Sequence, residues 1–197
     1  MGEKGYSSCV ERFLRYVAID TRSREDSDTY PSTSGQLDLL RLLVDELKDL
    51  YSAENQIIKA LPRMAKAATS PDLRRAFERH LEETRRQVER LDQIGEELEM
   101  KMTGKKCKGM EGLIAEGKEL LEEDLDEDAL DAGLIGAAQK VEHYEIAAYG
   151  TARTHAEMLG FRKVAKLLQQ TLNEEGATDK KLTQLAENVI NYEAVNA

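Results

Sequence analysis

The sequence predicts an all-α chain: four long helices packed as a bundle, a short helix within one long connection, and a helical extension ahead of the first long helix. Three observations lead there. The 197 residues include 3 Pro and no Trp, and aromatics make up only 5%. Ala, Leu, Glu, Lys, Arg and Gln abound, and such straight-chain residues lose little rotamer freedom in a helix, which excludes an all-β fold. From Gln36 onward apolar residues recur at helical spacing, and the pattern is broken at only a few turn signals.

The elements follow in order. Val10, Phe13, Leu14 and Val17 form the apolar face of a short amphipathic helix, and residues 21–35 are a polar, charged loop, so 1–35 is read as an extension. The first long helix spans about 36–68, with Pro62 expected to kink it. Thr69-Ser70-Pro71-Asp72 turns the chain, Ser70 capping the second helix and Pro71 taking its first position. That helix runs over about 71–101 and breaks at the 103–109 loop. A short amphipathic helix over 110–123 presents Leu113, Ile114, Leu120 and Leu121. The third long helix spans 127–159, Gly160 is its C-cap, and the fourth spans 161–192. Two tight turns separated by one long crossover give residues 36–197 the ferritin-like topology.

A net charge of −10 repels phosphate backbones and excludes nucleic acid as a partner. No run of 18 apolar residues exists, and the N-terminus lacks a signal peptide's apolar stretch, so no membrane association and a cytoplasmic location are expected. Cys9 and Cys107 are far apart and have no zinc-site company. Cys107 reads as an ordinary loop cysteine, although Lys105, Lys106 and Lys108 beside it would lower a thiol pKa.

The functional signal is a set of carboxylates where leucines belong. In steps of seven, the first helix reads Leu40, Leu47, Glu54, Leu61, Ala68; the third reads Ala138, Glu145, Ala152, Leu159; the fourth reads Phe161, Leu168, Glu175, Leu182, Val189. Each core seam is interrupted once by a glutamate, and an unpaired carboxylate in a bundle core costs several kcal/mol. The second helix adds His80 on the stripe of Leu73, Phe77, Thr84 and Leu91, with Glu83 at its edge. Glu142 and Asp179 lie one turn from Glu145 and Glu175. Counted from their turns, Glu54 and Glu83 lie 16 and 13 residues from Ser70, and Glu145 and Glu175 each 15 from Gly160. At about 1.5 Å per residue these mismatches stay within roughly 5 Å, so all seven groups fit one central layer. Carboxylates with an imidazole there suit one or two iron or manganese ions. The competing reading is a metal-free buried salt-bridge network with Arg86 or Lys140.

These residues resemble the ferritin-like family typified by the bacterial proteins YciE and YciF. The likeness rests on LLVDELKDLYSAENQIIKALPRMAKAA (42–68), FERHLEET (77–84), CKGMEGLIAEGKELL (107–121), QKVEHYEIAAYGTAR (139–153) and LLQQTLNEEGATDKKLTQLA (167–186). It implies a ferritin-like bundle, frequent homodimerisation, a di-metal site and an association with bacterial stress response. By analogy with rubrerythrin-type sites, Glu54, Glu83, Glu142, Glu145 and Glu175 would be carboxylate ligands and His80 the imidazole. The order His80-x-x-Glu83 is reversed from the usual Glu-x-x-His, and Glu175 with Asp179 stand where a second such pair is expected. Residues 8–47 resemble the start of peptidase T, a zinc aminotripeptidase, whose catalytic motifs do not follow; no peptidase activity is expected.

Of the remaining candidates, His143 is expected at the surface and His155 as a hydrogen-bonded core histidine. Tyr51, Tyr144 and Tyr149 flank the layer as packing residues or hydrogen-bond donors. Two readings are carried forward: a di-metal protein, with peroxide or oxygen reduction as its chemistry if redox-active, and a metal-free structural or dimeric interaction protein.

Overall fold

The computed structural model describes residues 34–196, and no strand occurs among them. The helices are α1 (Ser34–Ala67), α2 (Pro71–Glu97), α3 (Lys108–Leu120), α4 (Glu127–Met158), α5 (Arg162–Leu185) and α6 (Asn191–Asn196), the last joined to α5 by a π-helical turn over Ala186–Ile190. The extension anticipated before Ser34, with Cys9, lies outside the described residues.

Local chemistry sets the boundaries. α1 continues through Pro62. Ser70 caps α2 by accepting from the Leu73 amide at 3.5 Å, and Pro71 begins the helix. Asp131, buried on α4, secures the same turn: it accepts from the Thr69 amide at 3.0 Å, the Thr69 hydroxyl at 2.8 Å and the Ser70 amide at 2.7 Å. α2 stops four residues short of Lys101 because Glu99 adopts φ +48° and the Met100 amide turns back to the Gly95 carbonyl at 2.8 Å. Gly160, at φ +82°, ends α4 as the sequence indicates.

α1 packs on α2 and α4, and α5 packs on α4 and α2, while α3 crosses the outside of α1 and α4. Neighbouring long helices are antiparallel, so the diagonal partners, α2 with α4 and α1 with α5, run parallel. Only a connection as long as the bundle can return the chain from the end of α2 to the start of α4, which is why residues 98–126 traverse its side. This is a ferritin-like four-helix bundle.

The core divides in two. One cluster gathers Leu40, Leu43, Leu47 and Leu50 with Leu91, Ile94, Leu159 and Leu168. The other gathers Ile57, Leu61, Leu73, Phe77, Met110, Leu134 and Leu182. Between them, at mid-length of all four long helices, the buried residues are polar: Glu54, His80, Thr84, Gln87, Glu142, Glu145, Thr171, Glu175 and Thr178.

Candidate metal centre

The heptad seams run into this layer. Leu40, Leu47, Glu54 and Leu61 on α1 and Ala68 just past its end are all buried, and so are Ala138, Glu145 and Ala152 on α4 and Leu159 at its C-cap. On α5, Leu168, Glu175 and Leu182 are buried. Continuous apolar seams on either side force each glutamate inward, because a helix cannot rotate one residue out of the core without taking the seam with it.

His80, Glu142, Glu145 and Glu175 converge most closely: each offers one ligand atom, and these atoms all lie within 4.8 Å of one another. His80 Nε2 and Glu142 Oε1 are 3.1 Å apart, an ion-pair distance without hydrogen-bond alignment. Glu54 is buried beside them, and its Oε1 accepts a hydrogen bond from the Tyr149 hydroxyl. Gln87 donates to Glu175 Oε1 at 2.5 Å.

Glu83 and Asp179 stand apart. Glu83 is half-buried and lines a cleft that also reaches His80 and Glu142. Asp179 lies on the outer α4–α5 seam, where it accepts from Gln139 at 3.0 Å and sits 3.4 Å from His143 Nε2. His143 is exposed as expected. His155 differs from expectation: it is half-buried and its Nδ1 has no hydrogen-bond partner.

Electrostatics in the layer favour bound protons. Burial pushes Glu54 up to about 7, although the Tyr149 hydrogen bond and His80 pull the other way. Glu145 and Glu175 are held well above the ordinary carboxylate range, first by burial and then by Glu54 and one another's neighbours. For His80, burial favours the neutral ring, but Glu142, Glu54 and Glu83 together outweigh it and raise the imidazole above its usual value.

Both oxygens of Glu142 and Glu145, one each of Glu54 and Glu175, and both His80 nitrogens are buried without a hydrogen-bond partner. Buried polar atoms in folded proteins are nearly always satisfied, so these atoms call for a partner, whether a shared proton, water or an ion. The salt-bridge partners suggested by the sequence do not supply it. Arg86 and Lys140 are exposed, and Lys140 pairs with Glu116 at 2.9 Å. The inward-reaching cation is Arg90, which pairs with Glu174 at 2.9 Å. Hard carboxylate oxygens with one imidazole nitrogen are a donor set that fits iron or manganese.

Gln87 escaped the sequence reading, yet a signal for it existed: His80, Gln87 and Ile94 form a heptad series parallel to Phe77, Thr84 and Leu91, and all six are buried. Cys107 requires a correction. It is a buried helix cap, its Sγ accepting from the Met110 amide at 3.3 Å and lying 2.9 Å from the Tyr144 hydroxyl, which donates to Asp49 at 2.6 Å. Burial and the Asp49 carboxylate raise its thiol pKa, opposite to the effect expected of the lysines, of which Lys105 pairs with Asp49 at 3.4 Å.

Among the described residues, no helix is long and apolar enough to cross a membrane. The family described as a domain of unknown function, DUF892, matches residues 38–195. Protein YciF of Escherichia coli K12 is 54% identical over 151 residues, covering 76% of this chain and 91% of YciF. The crystal structure of that protein, described as a stress protein, superposes with a TM-score of 0.75 at 52% identity over 78% of this chain and 97% of that one. YcfI from Rhodopseudomonas palustris gives a TM-score of 0.72 at 43% identity over 81% and 96% of the two chains. Peptidase T of Desulfitobacterium hafniense is 68% identical over 44 residues, 22% of this chain but 11% of that enzyme. The chain thus belongs to the DUF892 family and is a relative of YciF, its ferritin-like bundle built around a buried layer of one histidine and four glutamates.

Proposed function

We propose that the protein binds one or two iron or manganese ions in the central layer, with His80, Glu142, Glu145 and Glu175 as the inner ligands and Glu54 beside them. The observation that carries this reading is the set of unpartnered buried donor atoms on these five residues. Glu83 stands at the edge of the same layer, and Asp179 belongs to the outer seam. When bound, such ions supply redox chemistry of the kind that reduces peroxide or oxygen. The chain's residues hold and orient: Tyr149 fixes one oxygen of Glu54, Gln87 fixes one oxygen of Glu175, and the two apolar cores close the layer toward either end of the bundle. A role in bacterial stress response agrees with the description of YciF.

A metal-free structural reading draws on the His80–Glu142 contact and the two hydrogen bonds just named. Loading protein purified without chelator with iron(II) or manganese(II), then measuring metal per chain and melting temperature, separates the two. The metal reading expects about one to two ions per chain and a higher melting temperature; less than about 0.2 with unchanged melting overturns it. The pair Glu145→Leu and Glu175→Leu sharpens the test. Loading is lost if these residues hold metal, while metal-free stability holds or rises because a buried carboxyl group has been replaced by a packed apolar group.

A further inference from the structure

The crossover helix α3 covers a cavity of about 280 Å³ bounded by α1 and α4 and reaching inward to His80 and Glu142. Its walls are aliphatic, with Ile57 and Leu61 from α1, Leu113 and Ile114 from α3, and Val141 from α4. Charge is arranged unevenly around it. The cations Lys59, Arg63 and Lys118 are exposed at the mouth, and the one acid among the described lining residues is Glu142, buried at the inner end. Lys118 lies 3.6 Å from Glu122, so Lys59 and Arg63 carry the positive character of the mouth, which in a chain of net charge −10 runs against the general surface.

We propose that this cavity binds a small amphipathic monoanion, an aliphatic carboxylate whose head meets Lys59 and Arg63 and whose hydrocarbon body lies beneath α3. Size agrees with charge. An apolar cavity of about 150 Å³ accommodates benzene, so one nearly twice as large suits a body of about eleven heavy atoms. Apolar walls with a few placed polar groups are the usual composition of small-molecule sites. The inner end adds a preference in the metal-free chain, because Glu142 Oε2, the oxygen not held by His80, can accept a hydrogen bond from a hydroxyl at the far end of the ligand. Its apolar walls and cationic mouth are built by α1, α3 and α4 and do not depend on a metal in the central layer.

Titration calorimetry of the full chain, freed of metal with EDTA, tests this with decanoate, decanol and ω-hydroxydecanoate. Expected are saturable one-to-one binding of decanoate, at least about tenfold tighter than decanol, and ω-hydroxydecanoate binding at least as tightly as decanoate. Ala137→Phe, which fills the cavity, abolishes binding of all three. Lys59→Glu with Arg63→Glu, both at the exposed mouth, brings decanoate down to the affinity of decanol and leaves decanol unchanged; this variant decides the matter if Ala137→Phe does not fold. Absence of saturable binding, or affinity indifferent to the charge reversal, overturns the proposal. So does a change in oligomeric state of Ala137→Phe by light scattering, which would assign the cavity to a contact between two copies of the chain.

Discussion

His80 Nε2 and Glu142 Oε1 lie 3.1 Å apart and join α2 to α4 across the bundle axis, although these helices are diagonal partners rather than neighbours. Both side chains are buried, at 6% and 1% exposure, so water does little to weaken their attraction. The contact therefore ties the first hairpin to the second at mid-depth, where neither apolar core can do so.

The pH dependence of metal-free protein follows from this layer. Glu54 is raised from 4.5 to about 7, and Glu145, Glu175 and His80 are raised as well. The folded state then holds more protons than the unfolded state, so stability falls as pH rises. For Glu54 the loss begins near 4.5 and is complete only above about 7; His80 extends it upward from 6.5. In EDTA the melting temperature should fall steadily from about pH 5 to about pH 8, and the gain from added manganese should be larger at the higher pH, because metal displaces these protons. A flat profile in EDTA contradicts this account of the layer.

Gln87→Leu should destabilise the metal-free protein by about 1–3 kcal/mol in urea unfolding, because Glu175 Oε1 loses its buried donor. Arg90→Ala serves as the comparison. It removes the part-buried pair with Glu174 and leaves the amide of Gln87 on Glu175.

Asp131 satisfies two backbone amides and a hydroxyl at the α1–α2 turn from the first turns of α4. Asp131→Ala should cost about 3 kcal/mol and lower the melting temperature by roughly 10 °C, while Asp131→Asn recovers part of the loss through its remaining acceptor oxygen. Scanning calorimetry reads both.

Gly176→Ala should stabilise the protein by about 1 kcal/mol, since helical glycine carries an entropic cost and an added Cβ there meets nothing within 4 Å. Unchanged metal loading in this variant would show that Gly176 serves no distortion at the neighbouring Glu175.

Most of the architecture was legible because it rests on long periodic patterns. The seams containing Glu54, Glu145 and Glu175 gave helix faces, and counting from Ser70 and Gly160 gave a common depth. Less legible were features decided by tertiary contact. The retreat of α2 to Glu97 depends on Glu99 taking a left-handed conformation that no glycine announces. The environment of Cys107 depends on Tyr144 and Asp49, which lie distant in sequence on other helices. Asp179 shares the helical face of Glu175 in projection, but Gln139 and His143 on α4 draw it to the outer seam. Sequence spacing assigns a face; it does not say which neighbour captures a side chain at the face's edge.

The division of the core by a polar layer has a consequence for how the sequence tolerates change. Leu47 and Leu61 lie on one helix but in different clusters, 14 residues apart, which is about 21 Å along the axis. Truncations separated by more than about 10 Å and sharing no partners combine additively. Losses at Leu47 and Leu61 should therefore sum, whereas Leu47 and Leu50, within one cluster, should couple. Each end of the bundle can then accumulate and compensate substitutions without reference to the other, leaving the central layer as the part of the core whose residues must change together.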